Sequence, residues 1–230
     1  AKIPEYFATI DAGARAAGTL AIISTGWDPG LFSLNRMFAE AILPDGQTAT
    51  FWGRGVSQGH SDAVRKVPGV AAGVQYTEPM PAAMDAVRAG ARPELTPGSS
   101  HTRACFVVLA DGADPDAVRT AIVDMPDYFA PYETTVTFVT ADELARDHGT
   151  MPHGGVVLRS GTTTDGADHT IEYHLELGHN PSFTASVLVA YARAAHRLAA
   201  RGETGARTVY DVAPGLLSPR TSTELRRDLL

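Results

Sequence analysis

The stretch TLAIISTGWDPG, residues 19–30, sets the interpretation of the fold. Its unbroken apolar first half is typical of a short strand buried on both faces, and its second half is a dense turn signal. Ligands of α/β proteins bind at the carboxyl ends of strands, so this turn is a candidate binding loop. Gly26 lets a flat ligand approach the backbone, Trp27 can form a wall, and Asp28 can pair with an ammonium group. The alternative is a plain strand-to-helix turn in which Asp28 caps a helix that begins near Pro29.

Outward from this turn, segments with strand character alternate with segments of helical spacing. Helices are predicted at residues 3–17, 31–42, 81–88, 114–123 and 180–200. Strands are predicted at 19–24, 48–52, 74–77, 104–109, 134–140, 156–158 and 170–177. Turns or loops are predicted at 53–62, 92–100 and 161–168. This order predicts an α+β fold in which a mixed or antiparallel sheet carries helices on one face.

Composition and charge describe an ordinary folded chain. Of the 230 residues, 44% are hydrophobic and 20% are charged, which argues against disorder. The net charge of −7 argues against nucleic-acid binding, and no apolar run approaches the roughly 20 residues of a membrane span. The single cysteine, Cys105, excludes an internal disulfide and fits a cytoplasmic location.

The histidines do not form a recognisable metal motif. His169 and His174 face opposite sides of a predicted strand, and the sequence contains no His-Glu-x-x-His motif, so we predict no metal site. The chain also begins at Ala1 without a methionine or a signal peptide, which suggests that the sequence is part of a longer protein.

Three further positions could bind a ligand. The glycine-rich stretch at 53–62 has Gln58 where a dinucleotide fingerprint needs its third glycine, so it is either a donor-rich binding loop or a plain surface loop. Arg103, at the start of an apolar strand, either extends to solvent or clamps a carboxylate. His153 between Pro152 and Gly154 is either a donor to a ligand or structural. From the residues alone, this is a small-molecule-binding α+β domain.

A set of short motifs, in order from one end of the chain to the other, resembles the meso-diaminopimelate D-dehydrogenase family. The motifs lie at residues 25–30, 51–53, 57–62, 125–129, 151–155, 180–185, 193–197, 212–214 and 217–219. Each motif is weak by itself, whereas the ordered set from about Ile3 to Leu230 is specific.

The resemblance implies a homodimeric, NADP-dependent oxidoreductase. Such an enzyme deaminates the D-centre of meso-2,6-diaminopimelate to L-2-amino-6-oxopimelate and ammonia, and the reverse reaction serves lysine and cell-wall precursor synthesis. It also implies three segments: 1–30 as the last elements of a dinucleotide-binding Rossmann domain, 31–178 as the substrate-binding and dimerisation domain, and 179–230 as a helix and tail returning to the first. The glycine fingerprint of that Rossmann domain is missing from this sequence, so the chain alone is expected to be inactive.

The family's functional residues carry over onto two groups of positions. The resemblance places Thr25, Gly26, Trp27, Asp28 and Pro29 on the nicotinamide side of the cofactor, with Asp28 also holding the amino group of the D-centre and serving as the catalytic residue.

The second group binds the substrate. The resemblance makes Trp52 a wall over the substrate and gives Gln58 and Gly59 loop contacts. It assigns the carboxylates and the distal amino group to Thr77, Arg103, His153 and Asn180, without deciding which end each one serves.

Two other functions remain open. A non-catalytic dimeric ligand-binding module could use the same central domain, and a broader D-amino acid dehydrogenase could use the same reaction. Binding without turnover would identify the first of these, and a panel of D-amino acids would identify the second.

Overall fold

The computed structural model describes residues 2–164 and 166–230. Ala1, where the sequence begins, and Asp165, inside the turn predicted at 161–168, lie outside these described residues. The helices are α1 (Ile3–Ala16), α2 (Leu31–Ile42), α3 (Gln58–Arg65), α4 (Pro81–Arg88), α5 (Pro97–Ser100), α6 (Pro115–Val123), α7 (Ala141–His148), α8 (Asn180–Ala199) and α9 (Ser222–Leu229). The strands are β1 (Leu20–Ile22), β2 (Asp45–Trp52), β3 (Gly55–Val56), β4 (Val70–Pro79), β5 (His101–Leu109), β6 (Glu133–Phe138), β7 (His153–Thr164), β8 (Ala167–Leu177) and β9 (Gly205–Arg207).

The chain divides into two compact units. The first contains the described residues up to Phe38 together with Pro181–Leu230, and the second contains Ala39–Asn180. In the first unit, β1 and β9 pair in parallel, and the buried face of α8 forms the core with the tail. The members of this core are Val187, Tyr191, Ala194, Leu198, Val209 and Val212.

The second unit contains two sheets. An antiparallel sheet has the order β2-β7-β8, and a mixed sheet has the order β3-β4-β5-β6 with β5 and β6 parallel. Helices α3 and α6 pack on one face of the mixed sheet through Val64 and Ile122, both fully buried. The predicted α+β class with a mixed sheet and helices is confirmed, and the strands of this unit are shared between two sheets.

Local signals explain several helix ends. Pro4 lies in the first turn of α1, and Gly18, with φ of 63°, follows its end. The Asp114 side chain caps α6 by accepting from the backbone N–H of Asp116. These helix positions agree with the sequence-based predictions.

Two predictions for connecting segments are corrected. The stretch 92–100, predicted as a surface loop, contains α5, which begins with a capping box formed by Thr96 and Ser99. The stretch 53–62, predicted as a loop, contains β3 and the first five residues of α3, because its glycines allow close packing. Only Gly53, Arg54 and Ser57 lie outside these two elements. The unpredicted helix α7 begins with a capping box in which Thr140 and Glu143 exchange side-chain and backbone hydrogen bonds. None of the helices in residues 2–164 and 166–230 is both long enough and apolar enough to cross a bilayer.

Candidate functional site

The loop after β1 is a tight backbone structure in the first unit. The N–H of Gly26 donates to the carbonyl of Pro29 at 2.8 Å, and the peptide between Asp28 and Pro29 is cis. A Cβ on Gly30, whose φ is 140°, would lie 1.8 Å from the Gly26 oxygen, so only glycine fits there. Trp27 is 8% exposed and packs edge-to-face on Phe32, with ring centroids 5.2 Å apart.

The carboxylate of Asp28 forms an ion pair that the sequence analysis did not anticipate. Both guanidinium Nη atoms of Arg36 donate to Asp28, Nη2 at 2.6 Å and Nη1 at 3.4 Å. Arg36 also donates to the hydroxyl of Ser33 at 3.2 Å.

Arg103, in the second unit, is a buried cation. The residue is 6% exposed, and no ion pair joins it to a carboxylate within residues 2–164 and 166–230. Its Nη1 donates to the hydroxyl of Thr77, its Nε–H is buried without a partner, and its Cζ lies 3.9 Å from the ring centre of Tyr132. Burial excludes the interpretation that this side chain extends to solvent.

The groups around Arg103 are neutral. Burial, aided by the charge of Arg103, lowers the pKa of His60 to about 4 and that of His101 to about 4. Nδ1 of His60 lies 2.8 Å from Oγ of Ser57. The site therefore has one positive charge among neutral hydrogen-bonding groups at physiological pH.

His101 supports Trp52 from behind. The backbone N–H of Trp52 donates to Nε2 of His101 at 2.9 Å, and the two rings stack with centroids 5.5 Å apart. Trp52 is 39% exposed, whereas His101 is 4% exposed. The indole is thus held from its inner side while part of its surface faces outward.

Close backbone packing brings β3 against both Thr77 and His153. Gly55 pairs with Thr77 in the sheet, and a Cβ on Gly55 would lie 2.4 Å from Cα of His153. A Cβ on Gly53 would lie 2.1 Å from the carbonyl oxygen of Thr77. The backbone N–H of Val56 donates to the carbonyl of Pro152 at 2.9 Å. Burial lowers the pKa of His153 below its usual range.

Asn180 and Gln58 are linked to the same region through Met151. The Asn180 backbone N–H donates to the Met151 carbonyl at 2.8 Å, and Nε2 of Gln58 lies 3.6 Å from the Met151 sulfur. Gly59, in the first turn of α3, instead lines a groove of about 430 Å³ that also contains Lys66 and Tyr128.

The structure thus brings six of the predicted substrate residues into one contact network of the second unit: Trp52, Gln58, Thr77, Arg103, His153 and Asn180. The network reaches Trp52 through His101, which neighbours Pro79 at the end of β4. The sequence analysis missed Tyr132, His101 and Arg36. None of these three residues lies in a sequence pattern that distinguishes a binding site from ordinary packing.

A buried arginine that forms no ion pair with the described carboxylates, surrounded by neutral hydrogen-bonding groups, is typical of proteins that bind small carboxylate-bearing molecules. Residues 26–179 match the family model described as the diaminopimelic acid dehydrogenase C-terminal domain. The chain belongs to the meso-diaminopimelate D-dehydrogenase family.

Individual relatives agree with this membership. The meso-diaminopimelate D-dehydrogenase of Ureibacillus thermosphaericus is 54% identical over 230 residues, which cover 100% of this chain and 71% of the relative. A six-substitution variant of the Clostridium tetani enzyme, crystallised with DAP, has a TM-score of 0.94 at 48% identity and covers 100% of this chain and 71% of its own. An engineered D-amino acid dehydrogenase bound to NADP⁺ has a TM-score of 0.86 at 45% identity, with the same coverages of 100% and 71%.

Proposed function

We propose that this protein oxidatively deaminates the D-centre of meso-2,6-diaminopimelate with NADP⁺, and catalyses the reverse reductive amination, as a homodimer. The observation that carries the proposal is Arg103, a guanidinium 6% exposed whose Nε–H has no partner. A buried charge is costly unless something compensates for it, and a substrate carboxylate is the natural partner of a guanidinium. A diamino diacid supplies two such carboxylates.

The substitutions in the Clostridium tetani variant support the proposed substrate residues. They replace a Gln, a Thr, an Arg, a Pro, a His and an Asn. The same six residue types occur in this chain in the same order and with the same spacing, at Gln58, Thr77, Arg103, Pro152, His153 and Asn180. Five of these are the polar residues that we propose to bind the substrate, together with Trp52 and Gly59.

The loop at residues 25–29 fits the nicotinamide end of a dinucleotide. It follows β1, a strand in a parallel pair, and ligands of such folds bind at the carboxyl ends of parallel strands. Gly26 has no side chain to keep a flat ring from the backbone, and Thr25, Trp27 and Pro29 flank it. When bound, NADP⁺ supplies the hydride acceptor that oxidation of a C–H bond requires.

The chain's own residues would orient the substrate. In our proposal, Asp28 accepts hydrogen bonds from the ammonium group of the D-centre. Arg103 and Thr77 donate to a carboxylate, and His153 and Asn180 provide further polar contacts. Polar contacts that hold a flexible substrate in one orientation place one carbon for reaction, which is how orientation contributes to rate.

We propose the roles of the three segments on the same basis. Residues 1–30 and 179–230 would contribute to dinucleotide binding, and residues 31–178 would bind the substrate and form the dimer. Cross-linking and sedimentation of the protein would test the dimer directly.

The function is tested by assaying the full-length protein with NADP⁺ and two matched substrates. meso-Diaminopimelate and D-lysine differ only by the carboxylate on the distal carbon. We expect turnover of meso-diaminopimelate, and a loss of about 100-fold in kcat/KM on Arg103→Met, because charge-assisted hydrogen bonds are strong.

The substrate pair also shows which of the two substrate carboxylates Arg103 binds. If Arg103 binds the distal one, Arg103→Met leaves activity on D-lysine unchanged, and if it binds the one on the reacting centre, both activities fall. Unchanged kinetics on both substrates would refute the clamp. Binding of meso-diaminopimelate without any turnover would favour a ligand-binding module, and equal activity on many D-amino acids would favour the broader dehydrogenase.

A further inference from the structure

The cation of the proposed substrate clamp lies over the ring of Tyr132. Cζ of Arg103 is 3.9 Å from the centre of the Tyr132 ring, which is the close range of cation–π contacts. The guanidinium also donates a hydrogen bond from Nη1 to the hydroxyl of Thr77. One hydrogen bond alone leaves the plane of a guanidinium free to rotate about that bond, whereas an aromatic ring in close contact restricts this rotation.

The backbone holds Tyr132 in place before any ligand binds. Phe129 is fully buried in the core of the mixed sheet, and the Tyr132 N–H donates to its carbonyl at 2.8 Å. On the other side, β6 begins at Glu133 and pairs with β5, so that Arg103 lies opposite Thr134. The ring is therefore attached to the sheet through a short anchored segment.

A preorganised guanidinium binds a carboxylate better than a mobile one, because less conformational entropy is lost on binding. We propose that Tyr132 is a positioning residue for Arg103, whose ring holds the guanidinium in the one orientation that receives the substrate carboxylate. This inference rests on the proposed function of Arg103. It adds a residue that acts through Arg103 and has no proposed substrate contact of its own.

The test compares Tyr132→Phe, which keeps the ring, with Tyr132→Leu, which replaces it with a smaller apolar side chain. Calorimetry with meso-diaminopimelate should give Tyr132→Phe a Kd within about threefold of the parent, and Tyr132→Leu a Kd about tenfold higher. In steady-state assays the loss should appear in KM with kcat unchanged, since a ground-state contact is weakened. Equal affinity of Tyr132→Leu and the parent would overturn the inference.

A matched control removes a similar contact elsewhere in the same sheet. Cζ of Arg119 lies 4.9 Å from the ring centre of Phe138, so Phe138→Leu breaks an arginine–aromatic pair that does not involve Arg103. We expect Phe138→Leu to bind meso-diaminopimelate like the parent, with thermal melting confirming that each variant is folded. A loss in Phe138→Leu as large as that in Tyr132→Leu would indicate a general packing effect and would contradict positioning.

A double-mutant cycle separates this inference from the function on which it rests. In the Arg103→Met background, Tyr132→Leu should change Kd by less than about twofold, because no guanidinium remains to be positioned. A further tenfold loss in that background would mean that Tyr132 acts independently of Arg103. If Arg103→Met itself leaves Kd unchanged, the proposed clamp fails together with the inference, whereas failure of Tyr132→Leu alone leaves the clamp intact.

Discussion

At the scale of single residues, Arg103 is held in surroundings that do not neutralise its charge. It is 6% exposed, donates to the hydroxyl of Thr77 and lies over the ring of Tyr132, and burial keeps His60 and His101 neutral. Burial lowers the pKa of Arg103, but a guanidinium remains charged at any physiological pH. The protein therefore bears the desolvation cost of this charge whenever no anion is bound.

We predict that Arg103→Met stabilises the ligand-free protein. Replacing a buried charge with an apolar side chain of similar length should raise the free energy of unfolding by about 1–3 kcal/mol. Urea denaturation with and without meso-diaminopimelate measures this, and the ligand should stabilise only the parent. If Arg103→Met is less stable than the parent, the contacts of Arg103 stabilise the fold by more than the desolvation of its charge costs.

At the scale of elements, the short strand β3 brings the predicted residues together. The sequence analysis recognised the glycines of the stretch 53–62 but predicted a loop, because glycine and polar residues usually mark one. The structure gives two of these glycines a packing role: Gly53 against the carbonyl of Thr77 and Gly55 against His153. A clash that a side chain would cause depends on residues far away in the chain, and no local pattern reports it.

A pair of glycine substitutions tests this distinction. Gly55→Ala should lower the free energy of unfolding by about 1–3 kcal/mol, since the new Cβ would lie 2.4 Å from backbone Cα of His153. Gly59→Ala is the matched control, because nothing lies within 4 Å of its added Cβ and it is in the first turn of α3.

The control should be neutral or stabilising by up to about 1 kcal/mol, because alanine favours a helix over glycine. Thermal denaturation of both proteins provides the comparison. Equal destabilisation by the two substitutions would mean that backbone flexibility, and not packing, sets the role of these glycines.

At the scale of the whole molecule, the sequence was most informative where signals are local. The positions of α1, α4, α6 and α8 follow from caps, prolines and apolar spacing, and the family follows from motifs spread over the chain. The contact partners of the proposed functional side chains could not be predicted from local signals. Arg103 meets Tyr132, and Trp52 meets His101, across gaps that only the folded sheet closes. Such pairs follow from strand order, which spacing does not encode.

We predict that stability falls as the pH drops from about 6.5 towards 4. The pKa of both His60 and His101 is lowered to about 4, so between these pH values the unfolded chain binds protons that the folded protein excludes. Protonation therefore favours unfolding throughout this window. The paired carboxylates of Asp45 and Asp62 have lowered pKa values and lose their contribution only at still lower pH.

Urea denaturation at several pH values measures this dependence, with His101→Gln as the comparison. The variant retains an acceptor for the Trp52 N–H but has no proton to bind, so its stability should fall less steeply between pH 6.5 and 4. Parallel curves for the two proteins would show that His101 does not contribute to the acid sensitivity.

The rate at which the only cysteine of the sequence is labelled can report how often the mixed sheet opens. Cys105 is 1% exposed on β5, two residues from Arg103, and burial raises the pKa of its thiol to about 12. A thiol reagent can therefore react only when the sheet opens. We expect labelling to be slow in the native protein. Adding meso-diaminopimelate should slow the labelling further, by the factor with which the ligand stabilises the closed form. Mass spectrometry measures the fraction of protein that carries the adduct over time. Labelling at the rate of a free thiol would show that β5 opens without global unfolding.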